Sequence, residues 1–492
     1  MEHAIVIGGG IAGMCAAKVL AEHCKVTLIE RDTYPNEISD RRGVPQSKMF
    51  HTLLERGRRD MESIFPGLHK TLEQGHIPRA TFGFNTALMS PFGWGRNFLT
   101  HIPRALFCTR GYLESTMRRL FLEDGRIDLI ENATVTSLLS DEPETCTGVS
   151  YKVQGNDETK QLSADLVIDA SGASSRAGTW LKALNLEPPA EHELDPLLTY
   201  GGVILKMKPD VEFPKHWWWT HGAFIQRMPP HDNKGAHLIR QEGDLWLLTL
   251  VAGDGFDIPK TMDDVVEFLA RMRSPLVHDM LPYFEPVGEL TSYRLPKNKW
   301  KYYEEWSEKL DGFIAIGAST CVFNPNQGQG MSVAAGDAVI LRNCLETTTS
   351  PKTLPTLFFK EQARFQRNAY KLACCNDLKF ATVQGKRTLG TRLFNWYRDF
   401  ITAAGSVDPW VAREAAGVDM LLDPVSKLYR PWFVLRTFFA GIFLGWRQNP
   451  TRAERAAPYP PKPVELQSSK WTYVKDTPGI IYRFAKHHLR MT

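Results

Sequence analysis

A glycine-rich turn at residues 8–13, with the sequence GGGIAG, constrains the fold more than any other feature of the chain. An apolar segment over 4–7 precedes the turn, and the residues after it predict a helix over 14–23 and a strand over 25–29. A G-x-G-x-x-G spacing between a strand and a helix is typical of dinucleotide-binding βαβ units. The sequence therefore predicts an α/β fold that opens with a Rossmann-like unit.

The glycines of this turn have separate roles in binding a pyrophosphate. Gly8 permits the tight turn, Gly10 lets the backbone approach the phosphates, and Gly13 allows the helix to pack closely on the strand. Glu30, 22 residues after Gly8, supplies a carboxylate for ribose hydroxyls. The residues assigned to this half of a nucleotide site are Gly8, Gly10, Ile11, Ala12, Gly13 and Glu30.

A second glycine-rich segment, at 317–332, lies about 300 residues further along the chain. It follows a buried-type strand at 313–316 and leads into a predicted helix over 330–344. One long cofactor that spans both turns explains the pair. FAD is such a cofactor, with its adenosine and pyrophosphate at the first turn and its isoalloxazine at the second. A helix that begins beside the flavin stabilises the negative charge of the reduced ring.

These segments resemble the FAD-dependent monooxygenase superfamily, which has the para-hydroxybenzoate hydroxylase-like fold. The segment GASTCVFNPNQGQGMS at 317–332 resembles the second flavin motif of that superfamily, and its most specific part is Asn324-Pro325 with Gly328-Gln329-Gly330-Met331. The segment RRGVPQSKMFHTLL at 41–54 is similar to a narrower branch that includes flavin epoxidases of bacterial polyether biosynthesis. The likeness continues through VIDASG at 167–172 and covers about residues 1–345.

The resemblance implies further cofactor residues. Arg110, in CTRGYLE at 108–114, corresponds to an arginine that helps to hold the flavin, and Arg41 lies in the stretch that passes the ribityl and phosphate region. Arg31 and Val135 are assigned to the cofactor site with them. The assigned residues of the second segment are Gly317, Ala318, Pro325, Gly328, Gln329, Gly330 and Met331.

The resemblance also implies an activity. In such enzymes the reduced flavin reacts with O₂ to form a C4a-hydroperoxide, whose distal oxygen passes to an electron-rich alkene or aromatic ring. The cofactor performs the bond-making, so no side chain is assigned as a catalytic residue. The similarity to the polyether branch favours epoxidation of a large apolar polyketide or terpenoid, with aromatic hydroxylation as the next choice.

The chain departs from the superfamily at two informative positions. Ala318 stands where the superfamily carries an Asp that meets the ribityl chain, and Ser319 is a candidate replacement. Ser171-Gly172 replaces the Asp-Gly motif associated with NADPH use in aromatic hydroxylases. We expect electrons to come from NAD(P)H, either directly or through a separate flavin reductase. The replacement of the Asp-Gly motif argues against the direct route.

Four residues are candidates for substrate contact. His51 is interpreted as a structural or flavin-packing residue rather than a general base, because no partner is identifiable. Trp217 and Trp219 would share a face if their segment formed a strand, and they would then either line an apolar cavity or fill the core. Phe323 precedes the flavin turn and either touches substrate or packs.

The predicted organisation is a Rossmann-like FAD-binding domain with an inserted antiparallel substrate sheet and a helical C-terminal region. The boundaries are 1–185 and 301–350 for the two parts of the FAD-binding domain, 186–300 for the substrate domain, and 351–492 for the helical region with a Pro-rich arm. Within this last region, the aromatic segment 431–446 either packs over the main domains or makes peripheral membrane contact.

Composition excludes several other classes of protein. Lys and Arg number 59 against 55 Asp and Glu, and no run of five like charges occurs, so nucleic acid is an unexpected partner. The eight cysteines show neither metal-ligand spacing nor disulfide-framework density, which predicts no metal site and a cytoplasmic location. The other functions considered are an FAD-dependent prenyl-chain reductase, a flavin halogenase and a non-catalytic flavin-fold binding protein.

Overall fold

The computed structural model describes residues 1–35, 37–39, 41, 45–80, 85–95, 105–142, 144–253, 256–325, 328–406, 408–441 and 457–461. Its strands are β1 (His3–Ile7), β2 (Lys25–Ile29), β3 (Arg79–Ala80), β4 (Thr86–Ser90), β5 (Gly93–Trp94), β6 (Ala105–Leu106), β7 (Ile127–Ile130), β8 (Ala133–Leu139), β9 (Gly148–Val153), β10 (Thr159–Ser163), β11 (Leu166–Asp169), β12 (Glu191–Leu194), β13 (Leu198–Met207), β14 (Gly222–Ile225), β15 (Gly235–Arg240), β16 (Leu245–Gly253), β17 (Phe284–Pro286), β18 (Thr291–Arg294), β19 (Asn298–Lys301), β20 (Phe313–Ala315) and β21 (Cys321–Val322). Its α-helices are α1 (Ile11–Leu20), α2 (Glu55–Ile64), α3 (Leu68–Glu73), α4 (Arg110–Leu122), α5 (Ala177–Ala183), α6 (Met262–Ala270), α7 (Leu276–Met280), α8 (Gly330–Thr347), α9 (Leu354–Asp377), α10 (Leu389–Gly405), α11 (Pro409–Asp419) and α12 (Pro431–Phe439).

A parallel sheet in the order β20-β11-β1-β2-β7 forms the centre of the first layer. Its inner strands β1 and β11 are mainly apolar because they are buried: α1 packs on β1, β2 and β11, and β8 and β9 contact β2 and β11. The turn after β1 and the loops after β11 and β20 leave the sheet at the same edge, since the carboxyl ends of parallel strands coincide. The topology thereby brings both predicted glycine turns to one place and confirms the α/β prediction.

The second large sheet has the order β17-β13-β16-β15-β14-β4-β5, with β18 also paired to β13. Most of its pairs are antiparallel, as the sequence predicts, but β4 pairs in parallel with β14. This strand and β5 come from residues 86–94, outside the 186–300 region. The sheet therefore recruits a segment from the first part of the chain.

Between residues 354 and 439 the described chain is mainly helical, as the sequence predicts for the region that begins at 351. Helix α9 packs on α8, and α10 and α11 pack on each other. Residues 442–446 of the aromatic segment and most of the Pro-rich arm lie outside the described residues. Within the described arm, the Ala457 and Pro461 carbonyls accept hydrogen bonds from the indoles of Trp94 and Trp218, at 2.9 and 3.0 Å.

Candidate functional site

One cavity of about 920 Å³ lies between the parallel sheet, the mixed sheet and helices α10 and α11. Gly8 and Gly10 of the first turn line it, and so do Gly317 and Gly330 of the second segment. Its volume is near the upper end of the roughly 300–1,000 Å³ typical of small-molecule sites. Two turns that are remote in sequence thus open into one chamber.

The first turn has the backbone geometry that its glycines permit. Gly8 has φ +96°, and a Cβ added there would lie 2.8 Å from the Ala170 carbonyl oxygen. A Cβ on Gly13 would lie 1.8 Å from the Gly8 oxygen, so α1 could not pack this closely on the turn. Gly10 caps α1 without any side-chain hydrogen bond. The first N–H groups of the helix therefore remain available to an anion.

Glu30 is buried at the end of β2 and lines the cavity. Its carboxylate accepts hydrogen bonds from the Gly9 N–H at 2.5 Å and from the Asp32 N–H at 3.0 Å. The Tyr34 hydroxyl donates to the Gly9 carbonyl at 2.9 Å. These bonds fix the turn, and a carboxylate with about four lone-pair positions can still accept from a ribose.

Arg41 and Arg110 converge on Glu114, which the sequence analysis did not identify as a site residue. The Glu114 carboxylate accepts from Arg41 Nε at 2.9 Å and from Arg110 Nε at 2.5 Å. Burial alone would raise the pKa of Glu114, but the two arginines outweigh burial and lower it. Burial likewise opposes the charge of Arg41, while Glu114 and Glu30 raise its pKa. The cluster therefore holds two fixed cations at the cavity wall.

The second turn is held in place by Asp337, a buried carboxylate on α8. Gly317 has φ +62°, and its N–H donates to Asp337 at 2.9 Å. The same carboxylate oxygen accepts from Gln362 and Gln366 of α9, at 3.0 and 2.6 Å. Burial raises the pKa of Asp337 to about 7, against the effect of these three donors.

Helix α8 begins beside the cavity with its first turn uncapped. Its N-cap, Gln329, makes no side-chain cap, and its side-chain amide instead donates to the Asp419 carbonyl of α11 at 2.8 Å. The side chain of Gln329 is thus committed to positioning. Two uncapped helix N-termini, those of α1 and α8, face the same chamber, which is the arrangement that one dinucleotide with a charged centre and a reducible ring requires.

Ser319 does not take the place of the Asp that the superfamily carries at the position of Ala318. Ala318 lines the cavity. Ser319 is fully buried, accepts from the Gly172 N–H at 2.9 Å and lies 3.3 Å from the Asp169 carboxylate. Ser319 therefore joins the loops after β11 and β20, and it is not among the cavity-lining residues.

Most residues assigned to the cofactor line the cavity. They are Gly8, Gly10, Ile11, Ala12, Glu30, Arg31, Arg41, Arg110, Val135, Gly317, Ala318, Pro325, Gly328, Gly330 and Met331. Gly13 and Gln329 lie behind this surface and position it. The residues present therefore fit FAD, and the individual contacts stay predictions.

The four substrate candidates divide into two pairs. His51 and Phe323 line the cavity. His51 Nδ1 donates to the Met49 carbonyl at 2.7 Å, and burial, with Arg110, lowers the pKa of His51 to about 4.

Trp217 and Trp219 are not among the residues that line the cavity. Their segment forms no strand. Trp219 is buried in the core of the mixed sheet, and the half-buried Trp217 packs against that core with its indole stacked on Trp219, centroids 5.4 Å apart. For this pair the structure corrects the cavity-lining alternative in favour of core packing.

Two sets of lining residues escaped the sequence analysis. One set lies on the mixed sheet, and the other lies on the C-terminal helices, beyond the range of the family resemblance. They include Leu88, Phe224, His237, Thr249, Arg398, Ala412, Ala416, Asp419 and Met420. A lone histidine in the apolar strand GAHLIR was an available signal for the first set, and Glu114, four residues after Arg110, was another for the arginine cluster. No local pattern marks α10 or α11.

Comparisons with known proteins show similarity to an FAD binding domain and to two curated proteins. Residues 2–193 match the family described as an FAD binding domain. The chain is 26% identical over 367 residues to Protein Rv3254 of Mycobacterium tuberculosis, covering 71% of this chain and 74% of that protein. It is 25% identical over 397 residues to kynurenine 3-monooxygenase of Salinispora tropica, covering 74% and 76%.

The fold is also that of known flavoenzyme structures. The p-nitrophenol 4-monooxygenase PnpA from Pseudomonas putida superposes with a TM-score of 0.60 at 14% identity, covering 86% of this chain and 99% of that one. At that identity the similarity establishes the shared fold.

Proposed function

Residues 2–193 match an FAD binding domain, and on that premise we propose that this chain is an FAD-dependent monooxygenase that inserts one oxygen atom of O₂ into a large apolar small molecule. The acceptor is an electron-rich alkene or aromatic ring, so the reaction is an epoxidation or a hydroxylation. The observation that carries this proposal is that one cavity of about 920 Å³ contains both uncapped helix N-termini and a wall of apolar sheet and helix residues.

Each part of the cavity has a role in this reaction. The α1 N-terminus and Gly10 receive the FAD pyrophosphate, and Glu30 receives a ribose. Bound FAD supplies the reduction of O₂ and the transfer of oxygen. The α8 N-terminus stabilises negative charge on the ring. Phe224 and Met420 exclude water from the reacting centre.

The electron donor is NAD(P)H, acting either on the enzyme directly or through a flavin reductase. Ser171 and Gly172 line the cavity where the Asp-Gly motif of aromatic hydroxylases is missing. This departure favours the reductase route. Anaerobic addition of NADPH to the FAD-loaded chain, followed by flavin absorbance, distinguishes the two: bleaching without a reductase indicates direct use.

The proposed peripheral membrane contact rests on one face of α12. Trp432, Leu435 and Phe439 are exposed on this helix, whereas Phe433 is buried. Among the residues that the structure describes, no helix has the length and apolar character needed to cross a bilayer. A contact at the membrane surface is compatible with an apolar substrate.

An oxygen-labelling assay tests the function. The FAD-loaded chain is reduced, then mixed with isotopically labelled O₂ and a panel of apolar polyenes and phenols, and the products are analysed by mass spectrometry. We expect one labelled oxygen atom in the product. Product formed without O₂ would point to a reductase, and halogen incorporation from added bromide or chloride would point to a halogenase. A chain that takes up no FAD would support a binding protein.

A further inference from the structure

A row of side chains crosses the mixed sheet at the substrate end of the cavity. Leu88 on β4, Phe224 on β14, His237 on β15 and Thr249 on β16 occupy directly paired positions on adjacent strands. All four line the cavity. Because residues paired across a sheet project to the same side, this row forms one continuous wall.

Residues 48–50, which follow Arg41 in the chain, pack against this wall. A Cβ on Gly202, the next position in the row, would lie 2.2 Å from the Lys48 carbonyl, so only glycine lets the segment approach the sheet. The Phe50 N–H donates to Thr249 Oγ1 at 2.8 Å. The Phe50 ring then stands edge-on to Phe224 and His237, with centroids 6.1 and 6.2 Å away. We call Phe50, Leu88, Phe224, His237 and Thr249 the aromatic slot.

His237 is the polar group of the aromatic slot whose hydrogen bonding is incomplete. Its ring stacks on Phe224, with centroids 3.5 Å apart and planes 8° apart, and it is 6% exposed. Burial, with Arg227, lowers the pKa of His237 to about 3, so the ring is neutral at physiological pH. Among the described residues no partner bonds to its Nδ1. A buried imidazole nitrogen without a partner is costly, so a ligand group that the His237 ring could turn to meet would be stabilising.

The charged side chains at this end of the cavity already have partners. Arg110 bonds Glu114 at 2.5 Å, and Arg398 of α10 bonds Asp419 of α11 at 2.5 Å. Because Arg110 and Arg398 are already paired, a substrate carboxylate would have to compete with Glu114 or Asp419 for either guanidinium group. A charged ligand would lose its hydration without compensation.

We propose that the aromatic slot binds an uncharged, planar unsaturated portion of the substrate, and that His237 forms a hydrogen bond with a single hydroxyl or carbonyl group on it. This inference rests on the proposed function only in taking the slot as the substrate end. His237 is a specificity-determining residue here, because it contacts the substrate away from the bond that reacts.

Three ring probes of one shape test the proposal: naphthalene, 2-naphthol and 2-naphthoate. Each is titrated calorimetrically into the full chain, with and without added FAD. In the unsubstituted protein we expect 2-naphthol to bind about fivefold more tightly than naphthalene, as one net hydrogen bond provides, and more tightly than 2-naphthoate. His237→Phe keeps the stacked ring and should bring the 2-naphthol preference to about onefold while leaving naphthalene affinity within about twofold.

Two further variants make the test decisive. His237→Asn keeps a donor and an acceptor and should restore part of the 2-naphthol preference; it also carries the test if His237→Phe does not fold. His278→Phe, on α7 outside the cavity lining, is the matched control and should leave all three affinities unchanged.

The proposal is overturned if 2-naphthoate binds most tightly, if His237→Phe retains the 2-naphthol preference, or if none of the probes binds. These outcomes need neither O₂ nor a reductant. A chain that shows the expected preference yet fails the oxygen-labelling assay refutes the proposed function and leaves the slot assignment standing.

Discussion

At the scale of single residues, the candidate site depends on glycines, which lack a Cβ and so allow close backbone packing, and on the buried charges of Glu30, Arg41 and Glu114. The motif alone identified Gly8, Gly10 and Gly13. A Cβ would collide with backbone at Gly8 and Gly13, whereas at Gly10 it would lie 3.6 Å from the Arg41 guanidinium group, beside the proposed phosphate position. The motif did not identify Glu114 as the group that joins Arg110 to Arg41. Glu114 lies four residues after Arg110, but its contact with Arg41 joins residues 73 positions apart. Local sequence shows which residues are capable of binding, and tertiary contacts decide what they bind.

Gly13→Ala and Gly178→Ala form a matched pair of substitutions inside helices. The new Cβ in α1 would lie 1.8 Å from the Gly8 oxygen, whereas that in α5 would lie 3.8 Å from Pro188. We expect Gly13→Ala to cost about 1–3 kcal/mol and to weaken FAD binding about tenfold. Gly178→Ala should leave FAD binding unchanged and stabilise the helix by about 0.5–1 kcal/mol. Thermal unfolding and titration of flavin fluorescence measure both effects; equal losses in the two variants would contradict the role of the close approach.

Asp337 should make stability depend on pH. Burial raises its folded-state pKa to about 7, above the ordinary 3.8, so the folded chain holds a proton that the unfolded chain releases between these values. Stability is therefore lost as the pH rises through that window, by up to about 1.4 kcal/mol per pH unit. Asp337→Asn removes the proton exchange. The difference in unfolding free energy between the natural chain and this variant, measured in urea from pH 4 to 8, should fall with pH and level off above about pH 7.

The exposed Asp263 on α6 supplies the control for this measurement. Asp263→Asn should leave the pH profile of the natural chain unchanged. A flat difference for Asp337→Asn across the whole range would show that Asp337 is ionised in the folded state throughout.

At the scale of helices and strands, the local pattern of apolar residues predicted where these elements lie in the sequence better than which strands pair with each other. The strand expected over 4–7 is β1, that over 25–29 is β2, and the helix expected over 330–344 is α8. The apolar patterns of these segments are strong because they are buried in the sheet or against it. The pairing of β4 with β14 had no local signal, because it joins residues more than 130 positions apart.

Helix α11 should set the size of substrate that the cavity admits. Ala412 and Ala416 line the cavity from this helix, whereas Arg413 is exposed. Ala416→Phe adds a ring to the chamber, and we expect it to lower kcat/KM for a large substrate about tenfold while FAD affinity stays within about twofold. Arg413→Phe places the same ring on the same helix outside the cavity and should change neither quantity. Steady-state kinetics with the product of the labelling assay as readout decides; an equal loss in both variants would indicate damage to the helix itself.

At the scale of the whole molecule, the predicted cofactor site joins two turns that lie about 300 residues apart in the chain. The first turn precedes α1, the second precedes α8, and α9 holds the second turn through Asp337. The sequence predicted that both turns meet one cofactor. It did not predict that α10 and α11 close the same cavity, because the resemblance ends near residue 345 and helical patterns do not specify where a helix docks.

FAD should therefore stabilise the molecule as one unit. At a free concentration 100 times its dissociation constant, a ligand that binds only the folded state adds about 2.7 kcal/mol. We expect FAD to raise the Tm in a concentration-dependent manner and to slow amide hydrogen exchange at both glycine turns. Protection at the first turn alone would contradict a cofactor that spans the two.

The separation of the two turns in sequence has a consequence for how the protein is made. A ribosome adds on the order of 5–20 residues per second, so the turn at residue 8 emerges on the order of 15–60 s before Gly317. During that interval the nascent chain contains the first glycine turn but not the second, so only one of the two segments proposed to bind FAD is present. Acquisition of the yellow colour is then a late event in biosynthesis, and a prematurely terminated polypeptide would leave the ribosome colourless.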